Sequence, residues 1–478
     1  MKTTHRVGVL AALAVGMLAL GACSNIRSLE CKDGLVQCGD RCIDPQSDEG
    51  NCGGCGIACG TLQVCGAGTC GCREGTESCD GVCSDLTLDD RNCGACGNAC
   101  GNGQVCEASS CGGAVVVAAC GGTAQVVSVG RDGTPGTPVQ LGTSGLQALG
   151  VYERNVLAAS YGSEIFQFGP EVTLTAATLP GFMGANHILS EPPYVYVTNT
   201  NANSVVVAKQ TGGSAEAGYA FTKVGEVPLG DNTVPQAAVR VGSRLYVPLY
   251  GNLFTNPGAG QRVAVLDVTN PESPVRVPAE DIDLAGLDLQ PFAGLTPFPT
   301  PYGIIERGGN LYLPLNSYTA DYQVGGPGLL AKITLPDGQA SAVELDPETC
   351  VNVGDVAKVG DLLVVSCVGS TTYDAEWNPV AVEKTSVLLL DANDSVVDSY
   401  AFTCTAPDCA AAAANRLAVW DSRVYVGDGM GRLVVLDVRA DGFSEVRGIS
   451  ATATRPPAQV CPPSETASNH VADLVVVQ

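Results

Sequence analysis

The amino-acid sequence predicts an all-β fold: a seven-bladed β-propeller closed by a C-terminal strand and preceded by a small disulfide-rich module of two repeats. Three observations predict this. Sixteen of the 23 cysteines form two octets of equal spacing between Cys31 and Cys111. From residue 114 onward, short Val, Ile, Leu and Tyr runs alternate with Gly, Pro, Asn and Asp. The two ends of that second part each hold an incomplete four-strand unit.

The N-terminal residues predict export. Lys2 and Arg6 precede an apolar run, Val7 to Leu20. This run is too short to cross a bilayer core of about 30 Å, but it suits the centre of a signal peptide. No long apolar stretch follows Cys23.

The end of this run, Leu20-Gly21-Ala22-Cys23, resembles the bacterial lipobox, whose cysteine is lipidated and becomes the first residue. The resemblance implies a signal peptide at 1–22, a lipid on Cys23 and a tether at 23–30. Ordinary secretory cleavage with a free Cys23 is the alternative. Ser24, in place of aspartate, favours the outer membrane or cell surface. Two or three acyl chains give stable anchoring.

The charge of the chain excludes one class of partner. Without residues 1–22 the chain loses two of its 25 basic residues and keeps all 49 acidic ones, which leaves a net charge of −26. Such a surface repels nucleic acid, and the sequence has no basic patch. We therefore expect no nucleic-acid partner.

The cysteine-rich segment divides into repeats at 31–71 and 72–111. Its 81 residues include ten Leu, Ile or Val and no Phe, Tyr, Trp or Met, so disulfides must supply the stability that a small apolar core cannot. We predict four disulfides per repeat, with the connectivity left open. The cysteines are Cys31, Cys38, Cys42, Cys52, Cys55, Cys59, Cys65 and Cys70, then Cys72, Cys79, Cys83, Cys93, Cys96, Cys100, Cys106 and Cys111.

Two other interpretations of this segment stay open. The Cys-x-x-Cys pairs Cys52/Cys55 and Cys93/Cys96 have the spacing of zinc or thiol-exchange sites, but the segment has no histidine. Its repeated acidic and amide residues have oxygens that could bind Ca²⁺, or could instead form turns between the cysteines. These residues are Asp44, Asp48 and Asn51, then Asp85, Asp89 and Asn92.

The runs 51–59 and 92–100, Asn-Cys-Gly-Gly-Cys-Gly-Ile-Ala-Cys and Asn-Cys-Gly-Ala-Cys-Gly-Asn-Ala-Cys, resemble Stig1-like cysteine-rich repeats. The resemblance implies an extracellular interaction module. We expect it to act as a stalk.

The body of the protein, 114–478, repeats one unit of four short strands. The clearest unit contains Ala237–Val241, Arg244–Pro248, Arg262–Val268 and Pro274–Val277. The order recurs at 416–448 and, more loosely, from Leu146, Ala185, Tyr302 and Val353. Four antiparallel strands repeated radially are the plan of a β-propeller. Long connections are expected at 251–261, 317–327 and 370–384.

The two incomplete ends predict ring closure. Ala114–Cys120, Ala124–Val129 and Pro138–Leu141 form a unit without its first strand, and Asn469–Val477 is a lone strand. Together they complete a seventh blade, which leaves no open sheet edge. The strand register then predicts the propeller disulfides Cys120–Cys461 and Cys350–Cys367, which leaves Cys404–Cys409 to close a short loop.

Two segments resemble known propeller repeats. Tyr194-Val195-Tyr196-Val197-Thr198-Asn199, with Ser204–Val207, resembles the YVTN type, and Leu266–Val275 resembles the LVIVD type. The resemblances imply the fold and no particular activity.

The sequence predicts no catalytic residue, no cofactor and no metal, apart from the possible Ca²⁺. His187 and His470 are expected at matching channel positions. Asp267, Asp391 and Asp437 are expected to form turns. Trp377 and Trp420 are candidates for binding or packing.

Two classes of function remain. The favoured one is a surface-anchored binding or scaffolding protein, whose propeller face recognises a protein or glycan. The alternative is an extracellular propeller enzyme, such as a lyase, a lactonase or a quinoprotein-like enzyme. Only two histidines after residue 22 and no quinoprotein repeat make this less favoured.

Overall fold

The structure, a computed structural model, describes residues 31–477 except for several gaps. The gaps are residues 61, 88, 90, 101–104, 108, 113–114, 143, 163, 170–183, 216, 253–258, 290–299, 318–324, 374–378, 403–412, 450–454 and 463–468. The chain divides into two compact units, residues 1–84 and 85–478. The described part contains almost only β-structure. Its helical element is a 3-10 turn at Pro278–Glu280, and no helix in this part is long and apolar enough to cross a membrane.

The disulfide-rich segment consists of small antiparallel hairpins. Its strands are β1 (Val36–Cys38) with β2 (Arg41–Ile43), β3 (Gln63–Gly66) with β4 (Thr69–Cys72), β5 (Glu77–Cys79) with β6 (Val82–Ser84), and β7 (Val105–Glu107) with β8 (Ser110–Gly112). The first repeat contains the disulfides Cys31–Cys42, Cys38–Cys55, Cys52–Cys65 and Cys59–Cys70. The second contains Cys72–Cys83, Cys93–Cys106 and Cys100–Cys111, and its Cys79 and Cys96 are disulfide-bonded as well.

The second part is a seven-bladed β-propeller, as the sequence predicts. Blade 1 contains β9 (Val115–Cys120), β10 (Gln125–Val129), β11 (Val139–Gln140) and β40 (Val471–Val477). The described strands of blade 2 are β12 (Leu146–Tyr152), β13 (Asn155–Ser160) and β14 (Ile165–Phe168). Blade 3 contains β15 (Ala185–Glu191), β16 (Tyr194–Asn199), β17 (Ser204–Ser214) and β18 (Gly218–Pro228).

The remaining four blades follow the same order with small additions. Blade 4 contains β19 (Val239–Val241), β20 (Arg244–Leu249), β21 (Arg262–Asp267), β22 (Val275–Arg276) and β23 (Ile282–Asp283). Blade 5 contains β24 (Thr300–Pro301), β25 (Ile305–Arg307), β26 (Asn310–Asn316), β27 (Leu329–Thr334) and β28 (Gln339–Glu344). Blade 6 contains β29 (Val353–Val359), β30 (Leu362–Cys367), β33 (Ser386–Leu390) and β34 (Val396–Ala401). Blade 7 contains β35 (Ala414–Trp420), β36 (Arg423–Asp428), β37 (Arg432–Arg439), β38 (Gly442–Arg447) and β39 (Ala458–Gln459).

The C-terminal strand closes the ring. β40 pairs with β9 from Val471 opposite Cys120 to Val477 opposite Val115, so the last strand of the chain is the innermost strand of blade 1. Cys120 and Cys461 form a disulfide between positions 341 residues apart. Cys350 and Cys367 form another across 17 residues. Both are the pairs that the strand register predicts.

Burial explains why the middle strands are mostly apolar. In a ring of blades, each sheet packs against a neighbour on both faces, so every residue of its central strands is covered. β13 and β33 are buried along their whole length, whereas the outer strand β34 has mostly exposed side chains. The apolar core accordingly lies in clusters between neighbouring blades.

Two local expectations from the sequence differ from the structure. The segment 370–384, expected as a plain loop, includes a hairpin of β31 (Ser370–Tyr373) and β32 (Pro379–Glu383). His470 precedes β40, so it does not match His187 within β15; the residue at the matching position is Asp473. The sequence pattern matched Asn469-His470 with Asn186-His187. The pairing of β40 with β9 instead places Asp473, three residues after His470, at the position that His187 has in β15.

Candidate functional site

Long connections gather on one face of the propeller. The links that follow the second strands of blades 4, 5 and 6 are 250–261, 317–328 and 368–385, and the link between blades 4 and 5 is 284–299. All of them leave the end of the blade at which the innermost strands begin. On the opposite face, the turns between first and second strands have two residues each, for example 192–193 and 242–243. We call these the long-loop face and the short-turn face.

Each innermost strand is interrupted near the long-loop face. Five of them have a β-bulge after their first residue, at Gln147, Asn186, Gly354, Asn415 and Ala472. In blades 4 and 5 the interruption spans 236–238 and 302–304. A bulge bends the strand and changes the direction of the next side chain. The interruptions therefore place a ring of side chains around the channel at the end facing the long loops.

Three charged residues on consecutive blades form one side of this ring. Asp355 of blade 6 accepts a hydrogen bond from the Leu417 amide of blade 7, with 3.1 Å between Oδ2 and N. Arg416 of blade 7 donates from Nε to the Ala472 carbonyl of blade 1 at 2.8 Å. Asp473 of blade 1 accepts from the Leu149 amide of blade 2 at 2.7 Å. Each side chain satisfies a backbone group on the open inner edge of the next blade.

Amide side chains continue the ring in the same direction. Gln147 of blade 2 donates from Nε2 to Asn186 Oδ1 of blade 3 at 2.5 Å. Asn186 in turn donates to the side chain of Gln236 in blade 4. We name these six residues the channel belt: Gln147, Asn186, Gln236, Asp355, Arg416 and Asp473. Hydrogen bonds of the channel belt link neighbouring blades at five of the seven boundaries in the ring.

The half-buried channel shifts the pKa values of its titratable groups. Burial raises the pKa of Asp355 to about 6, although the nearby Arg416 charge and two backbone N–H donors act against the shift. Burial also raises the pKa of Asp473. Burial and the Arg416 charge lower the pKa of His187 to about 4, so this imidazole is neutral at pH 7. Such perturbed groups in one channel are typical of functional sites.

Sequence reasoning missed the channel belt, although a signal was present. In three innermost strands, the residue two positions after the first strand residue is charged: Asp355, Arg416 and Asp473. The sequence does not show the bulges that turn this shared strand position toward the channel.

The residues that the sequence did single out have mostly structural places. Trp420 is buried at the end of β35 and packs under the Arg131 guanidinium, 4.7 Å from the ring centroid. Asp267 accepts from the Thr269 amide, and Asp437 binds Arg423. Asp391 accepts from the amides of Asn393 and Ser395, as expected of a turn residue. Cys23, Trp377, Cys404 and Cys409 lie outside the described residues.

The cysteine repeats contain grouped sulfurs but no thiols in their described part. The Sγ atoms of Cys52, Cys59 and Cys70 lie within 4.8 Å of one another, and those of Cys93, Cys100 and Cys111 do the same. All six are disulfide-bonded, and Cys52 and Cys55 pair with different partners. In this state none of them offers the thiolate that a metal or an exchange reaction requires.

The acidic residues considered for Ca²⁺ are engaged locally. Asp44 accepts from the Gln46 amide and the Ser47 hydroxyl, and Asp48 accepts from the Gly50 amide. Asp85 and Asp89 of the second repeat accept in the same way from the amides of Thr87 and Arg91. These bonds have the pattern of Asx turns. Calcium binding stays a prediction.

Several clefts in the described part lie away from the channel, beside blades 4 and 5. One has a volume of about 640 Å³ and is lined by Arg244, Tyr246, Glu280, Asp283 and Asp337, among others. Its main cation is already paired, since Arg244 binds both Glu280 and Asp267 at 2.7 Å. We therefore place the candidate site at the channel belt and the long-loop face.

Comparison with known proteins gives limited information. No family model and no curated protein matches the sequence. Among solved structures, the chain is similar to a "putative 6-phosphogluconolactonase" of Bacteroides fragilis NCTC 9343, with 12% identity, a TM-score of 0.48, and coverage of 76% of this chain and 98% of that chain. A second protein of that description, from Bacteroides uniformis ATCC 8492, has 11% identity, a TM-score of 0.48, and coverage of 73% and 96%.

The chain is also similar to apo AztD from Citrobacter koseri, with 12% identity, a TM-score of 0.46, and coverage of 76% of this chain and 97% of that chain. At these values the likenesses indicate neither an activity nor a ligand.

Proposed function

We propose that this chain is an exported, lipid-anchored protein of the cell surface whose propeller binds a protein or glycan ligand through its long-loop face. One observation carries the proposal: the long connections and the polar channel belt meet at the same end of the propeller. Binding residues are commonly found on loops that a rigid scaffold positions. On the short-turn face the connections among the described strands are shorter, with 130–138 between β10 and β11 the longest.

The compartment supports this proposal. All 20 cysteines of the described residues are disulfide-bonded, which indicates an oxidising environment outside the cytoplasm. The lipobox-like Leu20–Cys23 and the serine that follows favour a lipid anchor in the outer membrane. In this proposal, the Stig1-like repeats separate the anchor from the propeller along the chain.

Changing Cys23 to Ser is expected to release the protein from the membrane. Without the thiol no diacylglyceryl thioether forms, and the apolar run before it is too short to anchor the chain by itself. Labelling with an alkyne fatty acid and fractionation of the envelope measure the effect, with C404S as the matched control. Equal labelling of wild type and C23S would contradict lipidation at this site.

Changing Tyr161 to Glu is expected to weaken ligand binding by roughly tenfold. Tyr161 follows β13 on the long-loop face and is 54% exposed, so it is available for contact. The matched control is V396E, because Val396 is 48% exposed at the start of β34 on the short-turn face. A glycan array and envelope-protein capture with residues 24–478 give the ligand, and titration of both variants gives the affinities.

The outcome separates the two classes of function. Loss of binding in V396E but not in Y161E would refute recognition by the long-loop face. Turnover of a small substrate that D355N abolishes would favour the enzymatic alternative, since a carboxyl group with a pKa near 6 suits proton transfer at neutral pH.

A further inference from the structure

We propose that Arg416 and His187 form a binding site for a single carboxylate group of the ligand, at the end of the channel that opens on the long-loop face. The inference rests on the proposed binding function and names the chemistry of its ligand. Two unsatisfied polar groups on opposite sides of the channel carry it.

The Arg416 side chain is fixed by one hydrogen bond, and the rest of its guanidinium is available to a ligand. Its Nε donates to the Ala472 carbonyl at 2.8 Å, which fixes the plane of the guanidinium. Within the described residues, its two terminal nitrogens have neither a hydrogen bond nor an ion pair, and they are not closed off from solvent. A guanidinium with two free nitrogens presents a planar fork of N–H donors, the arrangement that binds a carboxylate in a bidentate manner.

His187 supplies the second unsatisfied group. Its Nδ1 is buried and has no partner among the described residues. His187 and Arg416 occupy the same position on their innermost strands, the first paired residue after the bulge, and the Arg416 charge contributes to the lowered pKa of His187. A buried polar atom without a partner calls for an explanation, and in a channel a bound molecule is one. The neutral imidazole has one N–H, which can donate to the same ligand.

The innermost strands of neighbouring blades pack closely beside the channel. A Cβ on Gly150 of blade 2 would be 2.6 Å from Ile188 Cβ of blade 3, and a Cβ on Gly354 of blade 6 would be 3.0 Å from the Asn415 carbonyl oxygen of blade 7. We assign one carboxylate to the channel, while the rest of the ligand would contact the long-loop face.

The two neighbouring carboxylates limit the negative charge that a ligand of this site can carry. Asp355 and Asp473 flank Arg416 on the adjacent blades, and their oxygens already accept backbone N–H bonds. When ionised, both repel an anion, so a singly charged carboxylate is favoured over divalent phosphate. The other charged side chains on the innermost strands lie toward the short-turn face: Glu191, Arg240, Glu306, Arg307 and Lys358.

This arrangement makes binding dependent on pH. Asp355 becomes neutral as the pH falls through about 6, which removes one of the two repulsive charges. We expect the affinity for a carboxylate to be higher at pH 5 than at pH 8, and D355N to remove most of that difference. His187 stays neutral across this range because its pKa is about 4.

Calorimetric titration of residues 24–478 with sodium acetate and sodium galacturonate tests the proposal, with galacturonate methyl ester as the neutral control. Saturable binding of the acids but not of the ester is expected. R416Q should weaken binding by roughly tenfold or more. R439Q should leave it unchanged, because Arg439 is exposed at the far end of blade 7. If circular dichroism shows R416Q to be unfolded, R416K takes its place, since it keeps the charge without the fork.

Each other outcome overturns the proposal. These outcomes are absence of saturable binding of both acids, equal binding of the ester, or wild-type affinity in the folded Arg416 variant. Tighter binding of inorganic phosphate than of acetate would overturn the choice of a carboxylate. If the acids do not bind while Tyr161→Glu still weakens capture of a ligand, this inference fails and the proposed function stands.

Discussion

Replacing Cys120 and Cys461 together by alanine is expected to lower the free energy of unfolding of the propeller by about 4–5 kcal/mol. The disulfide joins positions 341 residues apart, so its loss gives the unfolded chain a large gain in conformational entropy. Both cysteines are fully buried. Denaturant unfolding under non-reducing conditions measures the change.

The second propeller disulfide provides the matched control. Cys350–Cys367 closes a loop of 17 residues and is also fully buried, so its replacement by alanines creates similar cavities. The shorter loop predicts a smaller loss of about 2–3 kcal/mol. Equal losses in the two double variants would contradict the role of the long-range disulfide in closing the ring. Without that disulfide, β40 is held by its pairing with β9 and by noncovalent contacts with the neighbouring blades, and fraying would expose a sheet edge.

Changing Asp394 to Ala is expected to cost about 3–5 kcal/mol. Asp394 lies between blades 5 and 6, where it binds Arg307, accepts from Lys332 Nζ at 2.5 Å and accepts from the Tyr312 hydroxyl at 2.8 Å. The side chains of Arg307 and Asp394 are only 7% and 10% exposed. Removing the carboxylate would leave the Arg307 guanidinium buried without its counterion, which costs more than the lost contacts alone.

The dependence on pH distinguishes this ion pair from a simple loss of packing. Burial alone would raise the pKa of Asp394, but the hydrogen bonds from Lys332 and Tyr312 and the charges of Lys332 and Arg307 lower it overall. The contribution of Asp394 is therefore present at neutral pH and is lost as the pH falls below about 4. Unfolding of D394A and wild type at pH 7 and at low pH measures this change.

The control is D441A, because Asp441 is an exposed turn residue of blade 7. It should change stability by less than about 0.5 kcal/mol. A D394A effect as small as that of D441A would refute a large contribution of the buried network to stability. The network links blades 5 and 6 together with an apolar cluster and the hydrogen bond between Ser317 and Asn352.

Part of the fold was predictable because it depends on local patterns. The centres of β13 and β33 are continuous apolar runs bounded by polar and turn residues, and a central strand covered on both faces requires that pattern. The incomplete units at the two ends predicted that β40 would join β9, since neither could form a full blade alone. The cysteine spacing indicated a repeated disulfide module, but many connectivities fit eight cysteines equally well.

The candidate site was not predictable, because it depends on small displacements that repeat around a ring. One extra residue in β29, β35 and β40 brings Asp355, Arg416 and Asp473 to the same end of the channel. In sequence these residues are 61 and 57 positions apart and share no motif. His470 shows the same limit, since a matching Asn-His pair led to a register that the pairing with β9 excludes.

The sequence by itself determined the all-β class, the seven blades, the closing strand and the disulfide-rich module, because strand patterns, repeat lengths and cysteine spacing are properties of neighbouring residues. The tertiary structure alone determined the disulfide pairs within the repeats, the gathering of long connections on one face, and the channel belt. These features require that distant segments meet in a defined register. That register is fixed by the packing of blade against blade, which no single segment encodes.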